Sequence, residues 1–191
     1  MGFLPQDYKL PTSDGGYMKL EKGENKFRVL SNAVVGWEGW KDRKPQRFPM
    51  DQKPQNLEVF DKDQNGKPSL RHFWAFIVWN YNEKAVQILQ ITQKSVQQAI
   101  ENLVLDEDWG EPTEYDLKVI RKGDGKDTEY QVTPSNKGPV KPEIKEQFEK
   151  AGIDLSKLFE GSTPFAADQE EEDDISDAIP DDWKDDSIIR P

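Results

Sequence analysis

The run His72-Phe73-Trp74-Ala75-Phe76-Ile77-Val78-Trp79-Asn80 constrains this chain more than any other segment. Aromatic and β-branched side chains crowd it, and such a run has one economical structure, a buried strand. A turn at Asn82-Glu83-Lys84 leads to a partner strand, Val86–Ile91. Thr92 is the expected N-cap of a helix whose apolar positions Val96, Ala99, Ile100 and Leu103 recur at three- and four-residue spacing. Upstream, Lys26–Leu30 and Ala33–Trp37 read as strands, and Gly36 and Gly39 predict a bulge or a close backbone approach. Between them and the central strand, Lys41–Arg71 is polar and carries Pro45, Pro49, Pro54 and Pro68, so it reads as one long functional loop. Downstream, Tyr115–Lys122 and Thr128–Thr133 flank a glycine-rich turn, and a short helix, Glu143–Ala151, stops at Gly152 with Leu155, Leu158 and Phe159 placed to dock it.

Strands, a helix and two more strands form the element order of an OB-fold, a partly open five-stranded barrel whose face and loops bind oligonucleotides. The expected class is therefore mainly β: a five-stranded barrel, one helix between its third and fourth strands, and a long loop between the second and third. The expected division is an irregular leader over 1–16, a binding domain over 17–160 and a disordered acidic tail over 161–191.

Charge sets that tail apart. Residues 167–191 hold eleven acidic and two basic side chains, net −9, which leaves 26 acidic and 24 basic in residues 1–166, net −2, out of the chain's −11. The body is nearly neutral, while the tail is too charged and too poor in apolar area to fold alone. The absence of cysteine excludes disulfides, thiolate nucleophiles and cysteine-ligated metals, and a single histidine, His72, excludes a multi-histidine metal site. No cofactor and no enzymatic activity are expected. Mean hydropathy of −0.91 and the lack of a long apolar run predict a chain that does not enter a membrane. The opening residues show no signal peptide, so a cytoplasmic location is expected, in the host if the chain is phage-encoded.

Single strands are bound by aromatic platforms for bases and basic grooves for phosphates. Trp37 and Trp40 lead straight into Lys41, Arg43, Lys44 and Arg47, and Phe48 closes the cluster. Arg71 opens the central strand, on which the alternating pattern places Trp74 and Phe76 on the exposed, DNA-facing side. In the downstream hairpin, Asp116, Lys118 and Lys122 read as solvated, and Lys118, Arg121, Lys122 and Lys126 form a second candidate phosphate contact. Two sharper motifs compete. Asp61, Asp63, Asn65 and Gly66 open like a calcium loop, yet His72 stands where its bidentate Glu should be, so a turn is expected. Glu114, Asp116 and Lys118 alternate as in Mg²⁺-dependent nucleases, which keeps a nuclease as an alternative; an acidic DNA mimic is the other.

The segments Tyr17–Leu30, Gly36-Trp37-Glu38-Gly39-Trp40, Phe73–Trp79 with Ile91-Thr92-Gln93-Lys94, and Tyr115–Pro134 resemble bacteriophage-type single-stranded DNA-binding proteins. That resemblance implies a monomer or weak homo-oligomer that coats and protects single-stranded DNA, without sequence preference, during replication, recombination and repair. It also implies a tail that recruits replication and recombination proteins, here through Asp173, Asp174, Ile179, Asp181, Asp182 and Trp183. Many such tails finish on phenylalanine; this one continues from Lys184 to Pro191, so docking through the last residue is not expected.

Overall fold

The computed structural model describes residues 16–63 and 65–166. Nearly all of the expected leader and residues 167–191 of the expected tail lie outside them. The chain is mainly β, with eight strands joined in one sheet: β1 (Tyr17–Met18), β2 (Gly23–Val29), β3 (Val34–Lys41), β4 (Lys44–Pro49), β5 (Arg71–Asn80), β6 (Ala85–Ile91), β7 (Asp116–Lys122) and β8 (Glu129–Ser135). Among the described residues three α-helices, α1 (Lys94–Leu105), α2 (Pro142–Ala151) and α3 (Lys157–Glu160), pack around it.

The sheet runs β1-β6-β5-β2-β7-β8, with β3 pairing β4 and β5 off that path. The mainly β class agrees with expectation, and where a partly open five-stranded barrel was expected the strands form one open mixed sheet of eight. Closure would need β6 against β8; instead β6 takes β1 in parallel, Tyr17 opposite Ile88, and α1 packs on β8. β2 and β3 lie along the same edge of β5, Val29 opposite Val78 and Val34 opposite Ala75, so they form one long strand interrupted by a bulge. The bulge is satisfied locally: Leu30 N–H donates to Ile77 C=O at 2.8 Å, and Ser31 Oγ accepts from Ile77 N–H at 2.9 Å.

β5 is buried on both faces, unlike the one-sided strand its sequence suggested. Phe76 and Val78 point into a core with Phe27, Leu89, Leu117 and the α1 stripe Val96 and Ile100. Phe73, Ala75 and Ile77 point the other way, into a second core closed by Leu155, Leu158 and Phe165 from the segment after α2. Burying Phe73 and Phe76 is worth roughly 1.5–3 kcal/mol each. Phe165 meets Tyr17 edge-on at 5.6 Å, so residues 161–166 belong to the body rather than to the tail.

Two local expectations change. The N-cap of α1 is Gln93 rather than Thr92; its carbonyl accepts the Val96 and Gln97 N–H groups and no side chain caps the helix. The polar stretch after Lys41 is not one loop, because β4 folds back on β3. The turn Lys41-Asp42-Arg43-Lys44 holds Asp42 and Arg43 at φ 52 and 63, the left-handed pair that a two-residue hairpin requires. Asp61 stabilises it by accepting both N–H groups, at 3.3 and 3.1 Å. Pro45 and Pro49 argued against a strand, but β4 pairs only with β3 and is an edge, where proline is tolerated.

Gly36 and Gly39 mark close approaches. A Cβ at Gly36 would collide with the Phe48 carbonyl oxygen and sit 2.9 Å from the Phe159 ring; one at Gly39 would sit 2.5 Å from the Phe60 ring. Gly36→Ala is expected to cost about 1–3 kcal/mol, since a backbone oxygen cannot rotate aside. Urea unfolding that matches the parent would show the β3–β4 packing to be looser than described.

Candidate nucleic-acid interface

Strand alternation decides which aromatic side chains share a surface. Trp37 is the cross-strand partner of His72, Val35 that of Trp74, and Phe48 that of Trp37, so Trp37, His72, Trp74 and Phe48 share one sheet face. The Trp37 ring lies 5.3 Å from the His72 ring, its indole N–H donates to the Met50 carbonyl at 3.2 Å, and the Lys53 ammonium sits 4.0 Å over the ring. Trp37 is half-buried and held in place from three sides. Trp74 is half-buried against the first core, and Phe48 meets Phe60 edge-on at 6.0 Å.

Three expected positions are corrected here. Phe76 is 4% exposed and cannot offer a ring to a base. Trp40, three residues along β3 from Trp37, points to the opposite face, so the two tryptophans do not form one platform. Arg47 is not available to phosphate: its Nε lies 2.8 Å from Glu38 Oε2, it donates to Gln90 Oε1 at 3.0 Å, and Gln90 donates to the same Glu38 oxygen at 3.0 Å. That closed triangle is largely buried and tilts over Phe73.

Lys41, Arg43 and Lys44 are exposed at the hairpin tip, and Arg71 is exposed where β5 begins. Lys53 is the cation that sequence reading missed. It lies in the polar stretch with no motif around it, and only the fold of the hairpin brings it over Trp37. The calcium-like residues are used up in turns: Asp61 on the hairpin, and Asp63 accepting the Asn65 and Lys67 N–H groups at 2.8 and 3.0 Å. Those bonds hold the Asp63 carboxyl below its ordinary range.

On the β7–β8 hairpin, Lys122 and Lys126 are exposed and Lys118 pairs with Glu24 at 3.1 Å. Asp116, expected in solvent, is 4% exposed. It lies 2.6 Å from Arg28 Nε and 3.2 Å from Lys26 Nζ, and accepts the Tyr81 hydroxyl at 3.0 Å. Glu114 pairs separately with Lys137 at 3.4 Å. Glu114, Asp116 and Lys118 are thus committed to three different ion pairs, and among the described residues no group of three or more His, Asp or Glu side chains is placed to hold a metal.

Burial, then the Asp116 hydrogen bond, pushes the Tyr81 phenol up to about 12, and burial does the same to Tyr115. A raised phenol pKa stabilises the fold fully below about 10, its unfolded value, and that contribution disappears as pH climbs through about 12. Phenolate absorbance is expected to show two late-titrating tyrosines together with falling stability over that window; uniform titration near 10 would contradict the Asp116 contact.

No protein family, no curated protein and no solved structure matches this chain. No helix among the described residues is long and apolar enough to cross a membrane. The expected partner-binding residues Asp173, Asp174, Ile179, Asp181, Asp182 and Trp183 lie outside the described residues.

Proposed function

We propose that this chain binds single-stranded DNA without sequence preference and without catalysing a reaction. The observation that carries this reading is the Trp37 ring, held near His72 and under Lys53 on the face that also bears Trp74, beside a hairpin tip with exposed Lys41, Arg43 and Lys44. Stacking on a fixed ring reads no sequence, because every base has a π-face, and lysine and arginine around it neutralise phosphates.

The sheet order supports the reading. Five neighbours, β6-β5-β2-β7-β8, with α1 between the third and fourth in chain order, have the connectivity of an OB-fold opened between β6 and β8. In that reading the β3–β4 arm corresponds to the loop between the first two barrel strands, one of the loops that OB-folds use on oligonucleotides. A nuclease using Glu114, Asp116 and Lys118 finds no support in a buried Asp116 surrounded by cations.

The family reading, a phage-type protein that coats and protects template strands in replication, recombination and repair, is part of the same proposal. In it residues 167–191 compete for the cations of the body and recruit partner proteins. Deleting 167–191 removes a net charge of −9 and is expected to raise DNA affinity at low salt, with the gain shrinking as salt rises. Weaker binding after truncation would overturn that division of labour. Parallel titrations of single-stranded DNA, duplex DNA and RNA test the class; preference for duplex would reject it.

A further inference from the structure

On the sheet face that bears Trp37 and Trp74, a pocket of about 160 Å³ opens between the β2–β3 bulge, β5, the last turns of α1 and the chain before β7. Its walls include Val29, Trp74, Phe76, Ile100, Val104 and Pro112. An apolar cavity of about 150 Å³ is enough to take up benzene, so this one takes a single leucine- or phenylalanine-sized group. The helix beside it is apolar as well: Val104 is 37% exposed, and Leu105, at 76%, is the most exposed large apolar side chain among the described residues.

The surface around the pocket has one sign. Residues 101–114 hold six carboxylates, Glu101, Asp106, Glu107, Asp108, Glu111 and Glu114, and no lysine or arginine. Glu114 is paired with Lys137, and Asp106 accepts the Asp108 and Trp109 N–H groups at 2.8 and 3.2 Å. Glu101, Glu107 and Glu111 are exposed and form no ion pair among the described residues. Asp106 and Glu107 stand at the C-terminal end of α1, whose last turn holds no basic residue, and there the helix dipole disfavours negative charge. Burial first, then the field of Glu111, Asp106 and Glu114, raises the Tyr115 phenol.

This charge decides what the pocket receives. Cations gather at the arm, whereas Ala33, on the pocket wall, lies four residues from Trp37, about 13 Å of extended chain. A phosphate there would stand among unpaired carboxylates, with Glu111 on the wall itself, and residues 167–191, net −9, are repelled for the same reason. We propose that the end of α1 docks a basic segment of another protein. One apolar side chain enters the pocket against Trp74, and lysine or arginine on either side meets Glu107 and Glu111. An apolar anchor in a pocket with charge at its rim is the common division of labour at protein interfaces. The site rests on the pocket and its charge alone, so it stands or falls separately from the DNA-binding reading.

The test is fluorescence anisotropy of a labelled peptide, Lys-Arg-Leu-Phe-Lys-Arg, titrated with the full chain at low salt, beside a second peptide with Ser-Ser in place of Leu-Phe. Burying one such side chain is worth about ten- to a hundred-fold, and the Leu-Phe peptide is expected to bind tighter by about that factor. Glu107→Lys and Glu111→Lys, both at the surface, are each expected to weaken it several-fold, with Glu143→Lys on α2 unchanged as a control. Val104→Ser is expected to erase much of the preference for Leu-Phe. Equal binding of the two peptides, or affinity indifferent to Glu107 and Glu111, overturns the proposal. Sedimentation equilibrium without peptide decides a rival occupant: self-association that Glu111→Lys abolishes would seat a second copy there and overturn it. Weaker oligo-dT binding by Val104→Ser, with peptide binding unchanged, would seat a base in the pocket and overturn it too. Peptide binding with the expected variant pattern, but no binding of oligo-dT, would leave the docking site standing and reject the DNA-binding reading.

Discussion

Trp37→Ala is expected to lower affinity for oligo-dT by about five- to a hundred-fold while leaving the fold intact. Base stacking is worth about 1–3 kcal/mol per base, and each 1.4 kcal/mol is about tenfold. The ring is half-buried and joined to its surroundings by one hydrogen bond to a loop carbonyl, by Lys53 over it and by a tilted contact with His72, not by a place in either core. Trp37→Phe should recover part of the loss, because a smaller ring still stacks. Lys53 lies over the same ring, so an incoming base displaces it toward phosphate, and Lys53→Gln is expected to weaken binding less than Trp37→Ala. Oligo-dT binding by Trp37→Ala equal to that of the parent would move the site away from the arm.

Asp116→Ala is expected to destabilise the protein by about 3–5 kcal/mol in urea unfolding, the cost of leaving a buried charge without its partner. The Arg28 and Asp116 side chains are each only 6% exposed, and Lys26 and the Tyr81 hydroxyl lose the same acceptor. Arg28 also ties down the chain between β8 and α2, so the loss spreads to that segment. Replacing both partners, Arg28→Met with Asp116→Leu, should recover much of that stability, since a buried pair is worth little against well-packed apolar side chains. A nuclease would behave differently: its Asp116→Ala variant would fold as the parent does and lose only Mg²⁺-dependent cleavage.

The strands and helices that follow simple patterning were legible in the sequence. The central β5–β6 pair, the apolar stripe of α1, the glycine-rich hairpin and the stop of α2 at Gly152 all come from local rules of period and turn chemistry. What was not legible depends on partners remote in the chain. No local pattern announces that Leu155, Leu158 and Phe165 cover the second face of β5, or that Phe76 points into the core rather than toward DNA. Asp116 looked solvated because alternation on β7 put it with lysines; its burial comes from Arg28, 88 residues away in sequence. Arg47 looked free for the same reason, until Glu38 and Gln90 closed around it. Trp37 and Trp40 are three residues apart, and within a strand that spacing places them on opposite faces.

The measurement that tests the account most directly is quenching of tryptophan fluorescence by oligo-dT across a salt series. The account predicts quenching at low salt, loss of most of that quenching in Trp37→Ala, and affinity that falls linearly in logarithmic terms as salt rises, with a slope reporting several phosphate contacts. No quenching at low salt, or binding indifferent to salt, would contradict it.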